Sequence, residues 1–445
     1  MNSVTAVSLN NRNYSMDVMR GVAVLGILLM NITGFAGNEF LIVMNDVLQH
    51  KFTLNGFIFD SANVLLNGKM RGLFTLLFGA GLMLFIRNKP DNSIQVADAY
   101  FRRMMWLLLF GLVDAYLLLW SGDVLYEYAL IGLFLFAFRN MRVRYMLCIV
   151  ILFLGIYTFN NGKPYTKFRA KSFVYKQTEQ LIKEGKPLTE EQKKAREAFE
   201  NILSKHVPFS KKRIEEFKKE FAEDLIVHHS GYSDIFDSHS GDVFEIQSTG
   251  FYTNFFESFA MILLGMALFK LGFFEYRFSM NTYRLLTFIG IPIGWGIMIF
   301  CMKVQAKTVE ELWYTYSWRP CSTFYFEIPG KVLLTVSYAA AIMLLCRIRL
   351  IKPVLNLFSN TGRMAFTNYI MQTVLCSFYF FGFGLGHYGE YDATGLFIFV
   401  CCIWILQITY SNIWLHYFPM GPLEWLWKRL TYGKGFNKVE SLEPA

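Results

Sequence analysis

Apolar runs long enough to cross a bilayer recur along this chain of 445 residues, and clusters of Lys and Arg punctuate them at alternating ends. A span needs about 20 apolar residues. The runs predict helices near 16–36, 70–87, 102–120, 124–139, 144–160, 251–273, 284–303, 330–347, 364–384 and 393–417. With the N-terminus in the cytoplasm, alternation collects Arg87, Lys89, Arg102 and Arg103 on the inner side, then Arg139, Arg142 and Arg144. Arg277 and Arg284 follow, then Arg347, Arg349, Lys352 and Arg363, and finally Lys428, Arg429 and Lys434. The outer connections 121–123 and 385–392 hold no Lys or Arg. This bias predicts an even number of spans with both termini cytoplasmic. The expected fold is an all-α polytopic bundle of about ten spans. The 17% share of charged residues agrees, against about 25% in soluble domains.

The net charge of +9 does not indicate a nucleic-acid partner, because most short basic clusters flank apolar runs, where topology and anionic lipid account for them. Residues 1–160 read as an N-terminal membrane bundle of five spans, 251–435 as a C-terminal bundle of five spans plus an interfacial helix, and 436–445 as a disordered tail. Within 37–69, the run Phe52 to Leu66 is interrupted by Asn55, Asp60 and Asn63. Counted as a span, it would invert every later loop, so it reads as an amphipathic or re-entrant outer segment. Residues 161–250 form a hydrophilic, helical, extracytoplasmic insert rich in Lys, Glu and Gln, with a capping box at Thr189 to Gln192 and a loop from His228 to Thr249. It offers a solvated face or a docking surface for a protein partner. The seven cysteines lie mostly inside apolar runs without metal-ligand spacing, as small buried hydrophobes do. The polar stretch Met1 to Asn13 lacks the pattern of a cleaved signal.

Polar residues beside or within the spans need a partner or a purpose. Asp17 and Arg20 stand one turn apart at the mouth of the first run, spaced to pair and able simply to set the helix depth at the headgroups. Asn31, His50 and Asp60 fall on the outer side of the first two runs, where His50 is either a general base or an interfacial histidine. Asp114 lies inside the third run, with Trp120, Asp123, Tyr126 and Glu127 at the next turn; it serves function or pairs with an arginine such as Arg71. Arg363, Thr367, Asn368 and Gln372 make a polar stripe on the ninth run. Pro422 and Glu424 open an amphipathic last helix, with Glu424 favourable to its dipole. No P-loop, Gly-x-Ser-x-Gly, His-Glu-x-x-His or dinucleotide fingerprint occurs.

The blocks Asp17-x-x-Arg20-Gly21 with Asn31, Arg71 to Gly81, Trp120 to Asp123, Gly362 to Gln372 and Gly421 to Thr431 resemble the YeiB-like family of bacterial multi-pass membrane proteins, a domain of unknown function. The family often has a His in the third span, where this chain has Asp114. The resemblance implies the bacterial cytoplasmic membrane. It is distantly similar to transmembrane acyltransferases, including the lysosomal enzyme that acetylates heparan sulfate glucosamine. That similarity implies Asn31 as a donor to the acyl oxygen, His50 as base and Asp60 beside it. Acyl-CoA would be a co-substrate, Arg139, Arg142 and Arg144 would face its phosphates, and a sugar or lipid outside would accept the acyl group. No metal and no tightly held cofactor is implied. Two other readings stand beside acyl transfer: a transporter or flippase lined by Asp17, Arg20, Asp60 and Asp114, and a non-catalytic scaffold that docks a partner through 161–250.

Overall fold

The computed structural model describes residues 13–37, 53–87, 94–206, 211–304 and 322–433. In chain order the helices are α1 (Tyr14–Ala36), α2 (Leu54–Leu65), α3 (Lys69–Arg87), α4 (Ile94–Leu112), α5 (Leu125–Leu135), α6 (Val143–Lys183), α7 (Glu190–His206), α8 (Lys211–His228), α9 (Tyr232–Glu245), α10 (Phe251–Lys270), α11 (Met280–Leu285), α12 (Ile291–Val304), α13 (Ser322–Leu345), α14 (Lys352–Arg363), α15 (Ala365–Phe380), α16 (Ala393–Tyr417) and α17 (Pro422–Tyr432). Wider π-helical turns extend α4 through Leu117, join α9 to α10 and join α11 to α12. No strand occurs among the described residues, so the protein is an all-α polytopic membrane bundle.

Among the described residues, seven stretches are long and apolar enough to cross a membrane, lying within 14–36, 54–87, 143–161, 232–270, 280–301, 325–345 and 393–417. The other three expected spans fall short for visible reasons. α4 carries Asp98, Arg102 and Arg103 in its first half, α5 is 11 residues before its 3-10 turn, and α15 is 16 residues after a break at Met364. Ile151, Phe288 and Ile405 remain more than two-thirds exposed in mid-helix, the surface that lipid covers.

α1 is the shared wall of two apolar cores. Its first half, with Met16, Val18, Met19 and Ala23, joins a core with α3, α10 and α13. Its second half, from Val24 to Phe35, joins a core with α15 and α16. Asn13 caps α1 by accepting from the Met16 N–H at 3.2 Å, and Gly37 ends it in the left-handed conformation, φ 67°. Lipid tails are as apolar as leucine, so close packing rather than burial from water holds such helices together. Glycines supply it in reciprocal pairs. A Cβ on Gly79 would strike the Ile262 carbonyl of α10, and one on Gly265 would strike the Leu76 carbonyl of α3. Gly21 and Gly362 do the same for α1 and α14, against Phe358 and Asp17.

The segment at 54–65 is helical, carries no fully buried residue and is too short to span alone. Asn55 donates to Asp392 at 3.1 Å and accepts from the Thr394 N–H at 3.1 Å, pinning α2 to the start of α16. The Leu65 carbonyl accepts from Tyr338 of α13. Two expectations for the insert change. α6 does not stop near 160 but runs 41 residues, about 60 Å, twice a bilayer core. The stretch from His228 to Thr249 is largely helical rather than a loop, because Ile235 and Val243, both fully buried, share one helical face.

We expect Gly79→Val to destabilise the protein by about 1–3 kcal/mol through overpacking against α10, read as a lower unfolding temperature in detergent. Gly155→Ala, whose Cβ meets nothing within 4 Å, should leave that temperature unchanged.

Candidate functional site

The first turn of α1 begins the site. Asp17 is 5% exposed and accepts from Arg20 at 2.7 Å. Desolvation of so buried a carboxylate offsets much of the pair's attraction, so stability alone does not explain its place. The close approach at Gly21 and Gly362 lays the end of α14 against this turn. The chain then breaks at Met364, φ −110°, and restarts as α15.

That restart leaves backbone donors open, and α17 closes them. Glu424 accepts from the N–H groups of Phe366 and Thr367 at 2.8 and 3.0 Å and from the Thr367 hydroxyl. The Leu423 N–H donates back to Thr367 Oγ1 at 3.1 Å. Glu424 therefore serves the N-terminus of a neighbouring helix as well as its own first turn. Arg363 donates to Asn360 at 3.3 Å and to the Pro419 carbonyl at 3.0 Å.

Between α1, α3, α4, α5, α15 and α17 these elements leave a cavity of about 270 Å³, near the lower end of ligand-site volumes, about 300 Å³. Asp17, Arg20, Arg103, Arg363, Glu424 and Lys428 supply its charges. Its apolar walls are Phe74, Leu77, Phe78, Leu107, Leu125 and Phe366, with Tyr128 and Tyr369. Cations outnumber acids, and both acids are already engaged within the protein. Arg103 lies over the Trp427 ring at 3.6 Å, while the Trp427 indole donates to the Arg103 carbonyl at 3.0 Å. Among the described residues Arg103 has no acidic partner. A stacked guanidinium of this kind is suited to phosphate or carboxylate.

The expected site residues divide. Asp17, Arg20, Arg363 and Glu424 line the cavity. Asn368 and Gln372 lie behind its wall and act as ties: Asn368 donates to the Thr361 carbonyl and to Ser411, and Gln372 donates to the Val24 carbonyl and to Gln407. Arg71 pairs with Glu257 at 2.9 Å and not with Asp114. Asp114 is fully buried in the π-helical turn ending α4. Its carboxyl oxygens are buried beside Asp123 and Thr373. Asp123 caps α5 through the Leu125 and Tyr126 N–H groups at 3.1 and 2.8 Å, and its Oδ1 lies 3.3 Å from the Tyr369 hydroxyl. Trp120 stacks on Phe35 at 4.0 Å. Asn31 is half-buried near the far end of α1, Asp60 is exposed on α2, and neither lines the cavity. His50 lies outside the described residues. Arg139 lines a different recess, of about 490 Å³, with Arg87, Lys270, Glu275 and Arg277.

Arg103, Trp427 and the two tyrosines were not singled out by sequence. Arg103 reads as one more basic residue of an inner loop and Trp427 as part of an interfacial belt; only packing α17 on α4 joins them. Glu424→Ala should cost about 2–3 kcal/mol, since it strips a charged acceptor from three donors. Glu424→Gln, which keeps one acceptor oxygen, should cost clearly less, and thermal unfolding in detergent measures both.

Residues 268–434 match the family model described as "Protein of unknown function (DUF418)", which covers the α14, α15 and α17 walls of the cavity. The chain is 28% identical to uncharacterized protein YxaH of Bacillus subtilis, covering 97% of each chain. It is 26% identical to uncharacterized protein YeiB of Escherichia coli, covering 94% of this chain and 96% of that one. It is 24% identical to an uncharacterized 39.9 kDa protein in the amylase 3' region of Bacillus acidopullulyticus, covering 97% and 96%. No solved structure matches significantly. The chain is therefore similar along nearly its whole length to YxaH and YeiB, and its C-terminal part matches the model of a family of unknown function.

Proposed function

We propose that the protein is a multi-pass protein of the bacterial cytoplasmic membrane that takes an acylated anion into the α1–α17 cavity and transfers its acyl group to an acceptor beyond the membrane. The observation that carries the reading is the cavity's composition: Arg20, Arg103, Arg363 and Lys428 outnumber Asp17 and Glu424 around a chamber whose other walls are largely apolar. A phosphate-bearing headgroup with a hydrocarbon tail, as in a long-chain acyl-CoA, matches both parts. The basic clusters at this end of the bundle support a cytoplasmic mouth, because positive residues favour that side. The recess with Arg87, Arg139 and Arg277 adds cations on the same face.

A flippase reading draws less support. It needs a polar way out at the far side, and there Tyr369, Trp120 and Phe35 pack together with Asp123. For the proton chemistry of transfer, the acceptor side is the place to look, because the two carboxylates at the cavity mouth are both committed as hydrogen-bond acceptors.

Palmitoyl-CoA, CoA and palmitate are the probes. Purified protein should bind palmitoyl-CoA more tightly than either part alone. Arg103→Gln should weaken it by about tenfold, the loss of one charged contact of roughly 1.4 kcal/mol. Gly81→Leu should abolish binding by filling the chamber, since a Cβ there meets only Arg20, at 3.6 Å. Unchanged affinity in Gly81→Leu would place the ligand elsewhere.

A further inference from the structure

At the opposite end of α1 three side chains from the insert form a hydrogen-bonded chain. His228, 6% exposed at the end of α8, places Nδ1 3.0 Å from Asp224 Oδ1 and 2.9 Å from the Asp224 carbonyl. Both partners accept, so Nδ1 carries the proton. Its Nε2 lies 2.8 Å from Nε2 of His239 on α9. With His228 neutral, that Nε2 has only a lone pair, so His239 donates and keeps its own proton on Nε2. His239 Nδ1 is then left as a bare lone pair, and it is buried with no hydrogen-bond partner among the described residues.

The surroundings hold this arrangement. Tyr388 donates to the other oxygen of Asp224, and its ring stacks on His228 at 4.0 Å. Burial works to raise the Asp224 carboxyl, but the hydrogen bonds from His228 and Tyr388 outweigh it and hold it below the usual range, so it stays ionised at neutral pH. The Gly382 N–H donates to the His228 carbonyl at 2.7 Å. The Gly389 N–H donates to the Ala36 carbonyl at 2.9 Å, which ties the cluster to the last turn of α1. Asp224 and Asp242 are the acidic groups that act on His239, and His228 is the basic one.

We propose that Asp224, His228 and His239 form an acid–base site at the Gly37 end of α1, which accepts a proton at His239 Nδ1 from the hydroxyl or amine of a small polar ligand. As the ligand's proton arrives at Nδ1, the Nε2 proton of His239 passes to His228 Nε2. The positive charge then rests on His228, beside the Asp224 carboxylate. This resembles the way a carboxylate supports a charged imidazole in a catalytic triad. α1 is about 34 Å long, so the site lies across the bundle from the cationic mouth. Tyr369 of the chamber wall, Asp123, and Trp120 on Phe35 pack between the chamber and this end of α1. The proton relay stands on its own geometry; only the identity of the ligand as acyl acceptor rests on the proposed function.

Full-length protein with ¹⁵N-labelled histidine, in lipid nanodiscs at pH 7.5, tests the relay by NMR. The expected result is His228 protonated on Nδ1 and His239 on Nε2, with Asp224→Asn abolishing that order. Palmitoyl-CoA with ethanolamine as probe acceptor tests the chemistry. His239→Ala and His239→Gln should each lower acyl-ethanolamine formation by about 100-fold with palmitoyl-CoA affinity unchanged. A proton on His239 Nδ1 would overturn the proposal, as would wild-type levels of product from either variant. Stoichiometric zinc that His239→Ala removes would also overturn it, by making the pair a metal clamp. No product from wild type, with the tautomers as expected, would refute acyl transfer while leaving the relay supported.

Discussion

The crossing of α1 and α14 at Gly21 and Gly362 is the contact on which the rest of the site depends. Each glycine faces the other helix's backbone, where any Cβ would collide. The two helices therefore approach as closely as their main chains allow. That approach brings the end of α14 against the Asp17–Arg20 turn. It also fixes where α15 restarts and so where Glu424 must come from to satisfy it. A side chain at either glycine would push the helices apart and remove one wall of the cavity.

The charges around the cavity are unequal in freedom, and this decides what it can hold. Asp17 is taken by Arg20 and Glu424 by the buried start of α15, so both negative charges are spent on structure. Arg103 is held by stacking on Trp427 instead of by an acid, and stacking leaves the guanidinium edge available for an anion. An apolar chamber behind such a mouth favours a ligand that is anionic at one end and hydrocarbon at the other. The far end of α1 has the complementary character: histidines, a carboxylate and aromatic rings, with no cation among the residues that form the relay.

The helical bundle was legible because a bilayer admits few alternatives and apolar run length reports it directly. Where an expected span lacks a long apolar helix among the described residues, the cause is local. Asp98, Arg102 and Arg103 shorten the apolar part of α4, and the break at Met364 shortens α15. The stretch after His228 looked like a loop by composition, yet buried Ile235 and Val243 hold it helical. Of the polar residues noted in advance, Asp17, Arg20, Arg363 and Glu424 meet, because all lie at helix ends on one face. Asn368 and Gln372 stand on the same stripe as Arg363 but bond to α1, α14 and α16, a distinction no spacing rule contains.

By itself the sequence determined that this chain belongs in a membrane, which runs are apolar enough to cross it, and that an acid and a base stand one turn apart at its first helix; apolar length and charge bias are properties of the linear chain. The tertiary structure alone decided that Arg103 would find Trp427 more than 300 positions away, that Asp114 would be buried beside Asp123 and Thr373, and that Asp224, His228 and His239 would line up against Tyr388. Those outcomes depend on which helix faces pack together. In this bundle that is settled by where small residues let backbones touch.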